Sequence, residues 1–234
     1  MLSKAFTAEA WNEALAIIQS EFATAIWETL YVTILSTLIA IIIGLPLGVL
    51  LVAGEKNGVL PLPKWLMTIL GVIINILRSV PFLILMILVI PLTRAIVGTS
   101  VGTVASIVPL VIAAFPFIAR LVESSLREVD PNIIEMAQST GATPLQIIVK
   151  VMIPESIPSL ISNATIAITT ILGYSAMSGI IGGGGLGKIA INYGYYRYKY
   201  LVMFIAVILL VLIVEIFQRI GTRFAVKSDK RLKK

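Results

Sequence analysis

The sequence predicts an all-α membrane protein with five transmembrane helices, and three observations carry that prediction. First, 58% of the 234 residues are apolar and only 13% are Asp, Glu, Lys or Arg, about half the charged share of a soluble domain. Second, the apolar residues fall in five runs long enough to cross a bilayer, which takes about 20 residues per helix. Third, the basic residues gather in alternate connections and at the carboxyl end. Mean hydropathy is +1.02. So few charges cannot cover a water-facing surface, which excludes a soluble globular enzyme, and so much apolar content excludes a disordered chain. With no Cys, disulfides, Cys-ligated zinc and thiol nucleophiles are excluded. With no His, the commonest general base and metal ligand is missing.

In chain order the runs are Trp27 to Ala53, Trp65 to Leu92, Val101 to Ala119, Ile157 to Ile181 and Tyr200 to Ile220. They are continuous, whereas membrane strands alternate over about 10 residues. Pro46, Pro81, Pro91, Pro109 and Pro116 lie within them. Neighbouring membrane helices can satisfy the carbonyls that Pro frees. The second run is interrupted by Arg78 and Pro81. Orientation follows from the basic residues. With the amino terminus outside, twelve Lys and Arg face inward and five outward. The reverse orientation inverts that bias. The basic tail, 224–234, reads as a topology anchor near anionic lipid rather than a nucleic-acid patch. Residues 1–25 lack the basic start and compact apolar core of a secretory signal. Trp11, Leu15, Ile18 and Phe22 recur at helical spacing. They fit an amphipathic helix on the outer interface, and a plain extension of the first span fits equally.

The longest polar segment, residues 120–156, holds two sets of helix-start signals. Asp130 is an N-cap with Pro131 behind it, and Gly141 is a C′ residue that stops the helix. Thr143 and Pro144 repeat the start signal, and the second helix ends near Pro154. Ala137 and Gly141 fall at i and i+4 on one face, with Ile133 and Met136 beside it. Small residues there let another protein's backbone come close, although an ordinary surface loop has the same spacing.

Glu135-Met136-Ala137, three residues, Gly141, nine residues, then Val151-Met152-Ile153-Pro154 resembles the "EAA" motif of ABC importer permeases. Met136, Val151 and Ile153 depart from it, each by an apolar residue. The resemblance implies that the loop, about 123–155, carries a coupling helix that sits in a groove of a cytoplasmic ATPase. Glu135, Met136, Ala137, Gly141, Ile153 and Pro154 are then the coupling residues. A narrower resemblance, to the methionine-uptake permeases, rests on Arg78-Ser79-Val80-Pro81-Phe82, Pro91-Leu92-Thr93-Arg94, Ser175-Ala176-Met177-Ser178-Gly179, Gly182 to Gly187 and Asn192-Tyr193-Gly194-Tyr195. It implies the type I ABC importer permease fold over residues 26–223 and a homodimer. It also implies two ATPase subunits that bind ATP and magnesium, and a periplasmic or lipid-anchored methionine-binding protein. No cofactor is expected in this chain. The amino end is longer than that family core.

The run Gly182 to Lys188 also fits G-x-G-x-x-G and nearly fits a P-loop, but Ile189 stands where Ser or Thr would hold magnesium. It follows a membrane helix rather than a strand, so backbone turning at the mouth of span 4 is the better reading. Span 4 is the most polar span. Asn163, Thr170, Tyr174 and Ser178 lie near one another on a helical wheel, which fits either a translocation path or hydrogen bonding between helices. Met177, bulky among small residues, is a candidate gate. Arg78 is a candidate partner for a substrate carboxylate, for a carbonyl or for Glu residues of another span, with snorkelling as the plain alternative. The expected function is an inner-membrane permease subunit, not an enzyme, that passes methionine. Another small amino acid, or an ion-coupled secondary transporter, are the alternatives. The second of these would normally show paired repeats and mid-membrane acids.

Overall fold

The computed structural model describes residues 7–229. Lys4, Lys230, Arg231, Lys233 and Lys234, all counted in the charge bias, lie outside the described residues. Those described residues contain helices and no strand. Four helical stretches are long and apolar enough to cross a membrane: Ala10–Ala53, Ile107–Arg127, Ile157–Ile181 and Tyr200–Ser228. A fifth span exists if the broken pair Lys64–Ser79 and Phe82–Leu88 is counted as one.

The first stretch is α1 (Ala8–Ile17), a π turn (Ile18–Phe22) and α2 (Ala23–Ala53) in unbroken succession. The amino-terminal segment is thus an extension of span 1. Of the stripe Trp11, Leu15, Ile18 and Phe22, the first two are exposed, Ile18 packs against the core and Phe22 is buried. Ala14, Ile17 and Ala25 are buried as well. The second span breaks into α3 (Lys64–Ser79) and α4 (Phe82–Leu88), and α5 (Ile90–Val97) follows. Proline causes the break. Its ring disfavours helical geometry in the residue before it, and Val80 is extended at φ −77°, ψ 125°. The helix restarts beyond, where the amides of Ile84 and Leu85 donate to the Pro81 carbonyl at 2.9 Å.

The third span, α6, covers Ile107–Arg127 rather than Val101 to Ala119. Residues 101–106 are apolar enough to read as helix, but the Gly102 amide donates to the Gly182 carbonyl at 2.9 Å and the segment turns there. At its other end α6 continues because Val122, Ser125 and Leu126 are buried. Three short helices follow: α7 (Pro131–Ser139), α8 (Pro144–Ile147) and α9 (Ile153–Glu155). Then come α10 (Ile157–Ser178), α11 (Gly185–Ile189) and α12 (Tyr200–Ser228). The last runs two turns past the expected Ile220.

The chain divides into two compact units. One holds residues 1–37, 81–111 and 168–217. Its core joins Ala14, Ile17, Phe22 and Ala25 to Leu186, Ile189, Leu201, Val202 and Ala206. Lys199 pairs with Glu13 at 3.1 Å, the Tyr193 hydroxyl donates to Glu21, and Arg197 lies 4.8 Å over the Tyr193 ring. The hydrogen bond to Glu21, with burial adding to it, pushes the Tyr193 phenol up. The other unit holds residues 38–80, 112–167 and 218–234. Lipid tails give apolar helices no drive to associate, so close backbone packing must supply it. Gly44 and Gly48 make that packing with α6. A Cβ on Gly48 would stand 2.6 Å from the Ala119 carbonyl oxygen, and one on Gly44 2.9 Å from that of Phe115.

Candidate coupling loop and translocation helix

The loop between α6 and α10 is built by local capping. Asp130 accepts from the Asn132 amide at 2.9 Å, and Pro131 occupies a first-turn position where no N–H is needed. The α7 helix closes through Thr140, and Gly141 turns the chain at φ +78°. There the Gly141 amide donates to Gln138 at 2.9 Å and the Ala142 amide to Ala137 at 3.2 Å. Thr143 and Gln146 then form a reciprocal capping box. A π turn at Ile148–Met152 leads into α9, so Pro154 sits at the start of a helical turn rather than inside a regular ladder.

One side of this loop packs and the other is presented. Ile147, Ile148 and Met152 are buried, whereas Met136 is 63% exposed, Leu145 70% and Val149 52%. Glu135 and Gly141 are exposed, and Ala137, Ile153 and Pro154 are half-buried. A Cβ at Gly141 would meet nothing within 4 Å among the described residues. The expectation that Ala137 and Gly141 share a helix face needs correction. The α7 helix ends at Ser139, so Gly141 forms the turn beyond it. The loop thus presents three apolar side chains, Met136, Leu145 and Val149, and an open glycine turn.

On α10 the candidate path residues divide. The Asn163 side-chain amide donates to the Leu121 carbonyl at 3.1 Å and to Ser125 Oγ at 2.8 Å, both on α6. Ser178 is buried and donates to the Ser175 carbonyl at 2.7 Å. Thr170 is half-buried. Tyr174 stacks flat on Phe82, with centroids 4.5 Å apart. Met177, by contrast, is 44% exposed near the end of α10. Arg78 is exposed in the last turn of α3.

The glycine run is a packed turn. Glu28 Oε2 accepts from the Gly185 amide at 2.7 Å, and its Oε1 accepts from the Thr103 hydroxyl at 2.8 Å. Thr29 Oγ1 accepts from the Leu186 amide at 2.9 Å. An acid on α2 thus caps the start of α11, where free amides favour negative charge. Gly185 has φ +80°, and a Cβ on Gly187 would collide with the Ala176 backbone. This arrangement leaves no room for a phosphate cradle. Sequence reasoning missed Glu28 and Thr29, since their partners stand 157 residues away. It also missed the Gly44-x-x-x-Gly48 pair, which is visible in the sequence as a small-residue packing motif.

The profile of the family described as "Binding-protein-dependent transport system inner membrane component" matches residues 44–224. The chain belongs to this family. It is therefore a multi-pass inner-membrane permease subunit of an ABC importer, and transport rather than catalysis is its work. Among its relatives, the "Probable D-methionine transport system permease protein MetI" of Vibrio cholerae is 49% identical over 209 residues, covering 89% of this chain and 92% of that one. The protein of the same name from Haemophilus influenzae is 46% identical over 209 residues, covering 89% and 98%. Among solved structures, one of the inward-facing MetNI methionine ABC transporter, in its CY5 native crystal form, superposes with a TM-score of 0.88. That pair shares 44% identity over 91% of this chain and 98% of the other. Of its EAA-like residues, Glu135, Met136 and Gly141 are exposed, and Ala137, Ile153 and Pro154 are half-buried.

Proposed function

We propose that this permease passes methionine, D-methionine included, inward across the membrane, driven by ATP hydrolysed on a separate subunit. The observation that supports this most strongly is the near full-length match, at 44% identity, to the permease fold of a methionine ABC transporter. The relatives from Vibrio and Haemophilus, named for D-methionine, point the same way. In this reading two copies form the pathway, because five helices are few for an enclosed route and two-fold closure is the usual solution. Two ATPases, which bind ATP and magnesium, each take one coupling loop through Glu135, Met136, Ala137, Gly141, Ile153 and Pro154. A methionine-binding protein delivers substrate on the side of the amino terminus, which faces outward, while the carboxyl terminus is cytoplasmic. ATP binding closes the ATPases, moves the coupling loops and opens the path outward. Hydrolysis resets it.

Within that cycle Met177 is the narrow point, since its exposed thioether end is bulky among small neighbours. Tyr174 and Thr170 line the approach. Asn163 and Ser178 hold the helix through the bonds they already make. Arg78 faces the substrate carboxylate. The test is uptake of labelled D-methionine into liposomes holding the permease, its ATPase and its binding protein. Uptake should require ATP and fall when unlabelled L-methionine competes. Uptake that survives ATP depletion, or that another amino acid competes more strongly than methionine, contradicts the reading.

A further inference from the structure

A continuous polar network lies at the end of α6 that carries the coupling loop, and none of its members belongs to the EAA-like motif. Asn75 on α3 accepts from Arg120 at 2.8 Å. Arg120 pairs with Glu123 at 2.6 Å. Glu123 also pairs with Arg127 at 2.8 Å, and Arg127 grips Glu55 at 2.6 Å through one nitrogen and at 3.3 Å through another. Three segments are thereby joined: α3, α6 and the connection after α2. That connection is a tight turn. The Leu60 amide donates to Ala53 at 2.9 Å and the Leu62 amide to Gly54 at 3.0 Å. Arg127 is the last residue of α6, and Asp130, the cap of α7, follows three positions later.

Two features argue against a purely stabilising role. Glu55 stands just past the carboxyl end of α2, where the helix dipole disfavours a carboxylate. Its placement answers to Arg127 rather than to its own helix. Moreover, Arg127 and Glu55 are 46% and 48% exposed, and an ion pair that open to water adds little to folding. What such a pair does provide is directional linkage, because the Glu123 it continues from is only 12% exposed and held by two guanidinium groups.

We infer that this network is a second coupling element. It makes the turn after α2 and the α3 helix move as one body with α7, so that displacement of the docked loop reaches two helices besides α6. Glu55 acts as a positioning residue, through Arg127. The inference rests on the reading that α7 docks an ATPase.

Because the chain has no cysteine, spin labels can be placed through Asn57→Cys and Gln138→Cys, both at exposed positions. The preparation is the permease–ATPase complex, diluted with unlabelled permease. The distance between labels should be the same without nucleotide and in the ATP-bound, hydrolysis-blocked state. With Glu55→Lys it should shift on nucleotide binding, and ATP hydrolysed per methionine transported should rise about threefold or more. Glu55→Asp should restore both. A wild-type distance that changes with nucleotide overturns the inference, as does a Glu55→Lys complex with unchanged distance and unchanged ratio. Loss of the ATPase from Glu55→Lys would place Glu55 on the docking surface and also overturn it. The docking reading fails on a different result, namely ATPase retained by Gly141→Glu.

Discussion

Two glycine turns in this permease do opposite work. At Gly182 to Gly187 the backbone is crowded. Glu28 and Thr29 take its amides, and a Cβ would collide with side chains at Gly184 and Gly185 and with backbone at Gly183 and Gly187. At Gly141 the turn stands open, with φ +78° and nothing within 4 Å of a Cβ among the described residues. Space, and at Gly182 and Gly185 a positive φ as well, requires glycine in the first set, whereas backbone conformation alone requires it at Gly141. A run of glycines is thus poor evidence for a ligand, and a lone glycine on an exposed turn is a better clue to a partner.

Substitutions should separate the two turns sharply. Gly187→Val should be the most damaging, destabilising by about 3 kcal/mol or more because the new side chain has no void to enter. Thermal unfolding in detergent should show loss of most folded protein. Glu28→Ala should follow at about 2–3 kcal/mol, since it removes charge-assisted acceptors from the Gly185 amide and the Thr103 hydroxyl. Glu28→Gln should cost less, as one carbonyl oxygen still accepts. Gly141→Ala should cost only about 1–2 kcal/mol, the strain of a left-handed residue, and Gly141→Asn less still. If Gly141→Ala proves more destabilising than Gly187→Val, the distinction collapses. Smallest of all, Met136→Ser with Leu145→Ser should stay within about 0.5 kcal/mol of the parent in unfolding. The same pair should weaken ATPase co-purification, because both side chains are spent on the exposed face.

The coupling loop was the most legible part of the sequence, and the reason is physical. Caps act over three or four residues, so Asp130, Pro131, Gly141, Thr143 and Pro144 announce their geometry locally. The existence of the four unbroken spans was legible for a similar reason, since apolar length announces them, although not their bounds. Long-range pairing was not legible. Residues 101–106 have the composition of a span, but one amide of theirs is claimed by Gly182. The core-facing side of the amino-terminal helix went unread because Ala14 and Ala25, which are small, carry much of it beside Ile17 and Phe22. Asn163 and Ser178 looked alike on a helical wheel, though each is occupied by a specific neighbour. The Glu55–Arg127 link joins residues 72 positions apart, a separation that no local pattern records.

The most direct test of the account is ATPase co-purification with Gly141→Glu permease, paired with its thermal unfolding. The expected result is a permease that unfolds within a few degrees of the parent and no longer brings the ATPase with it. An ATPase that stays bound in parental amount to a folded Gly141→Glu permease would contradict the claim that this turn is where the chain receives its energy.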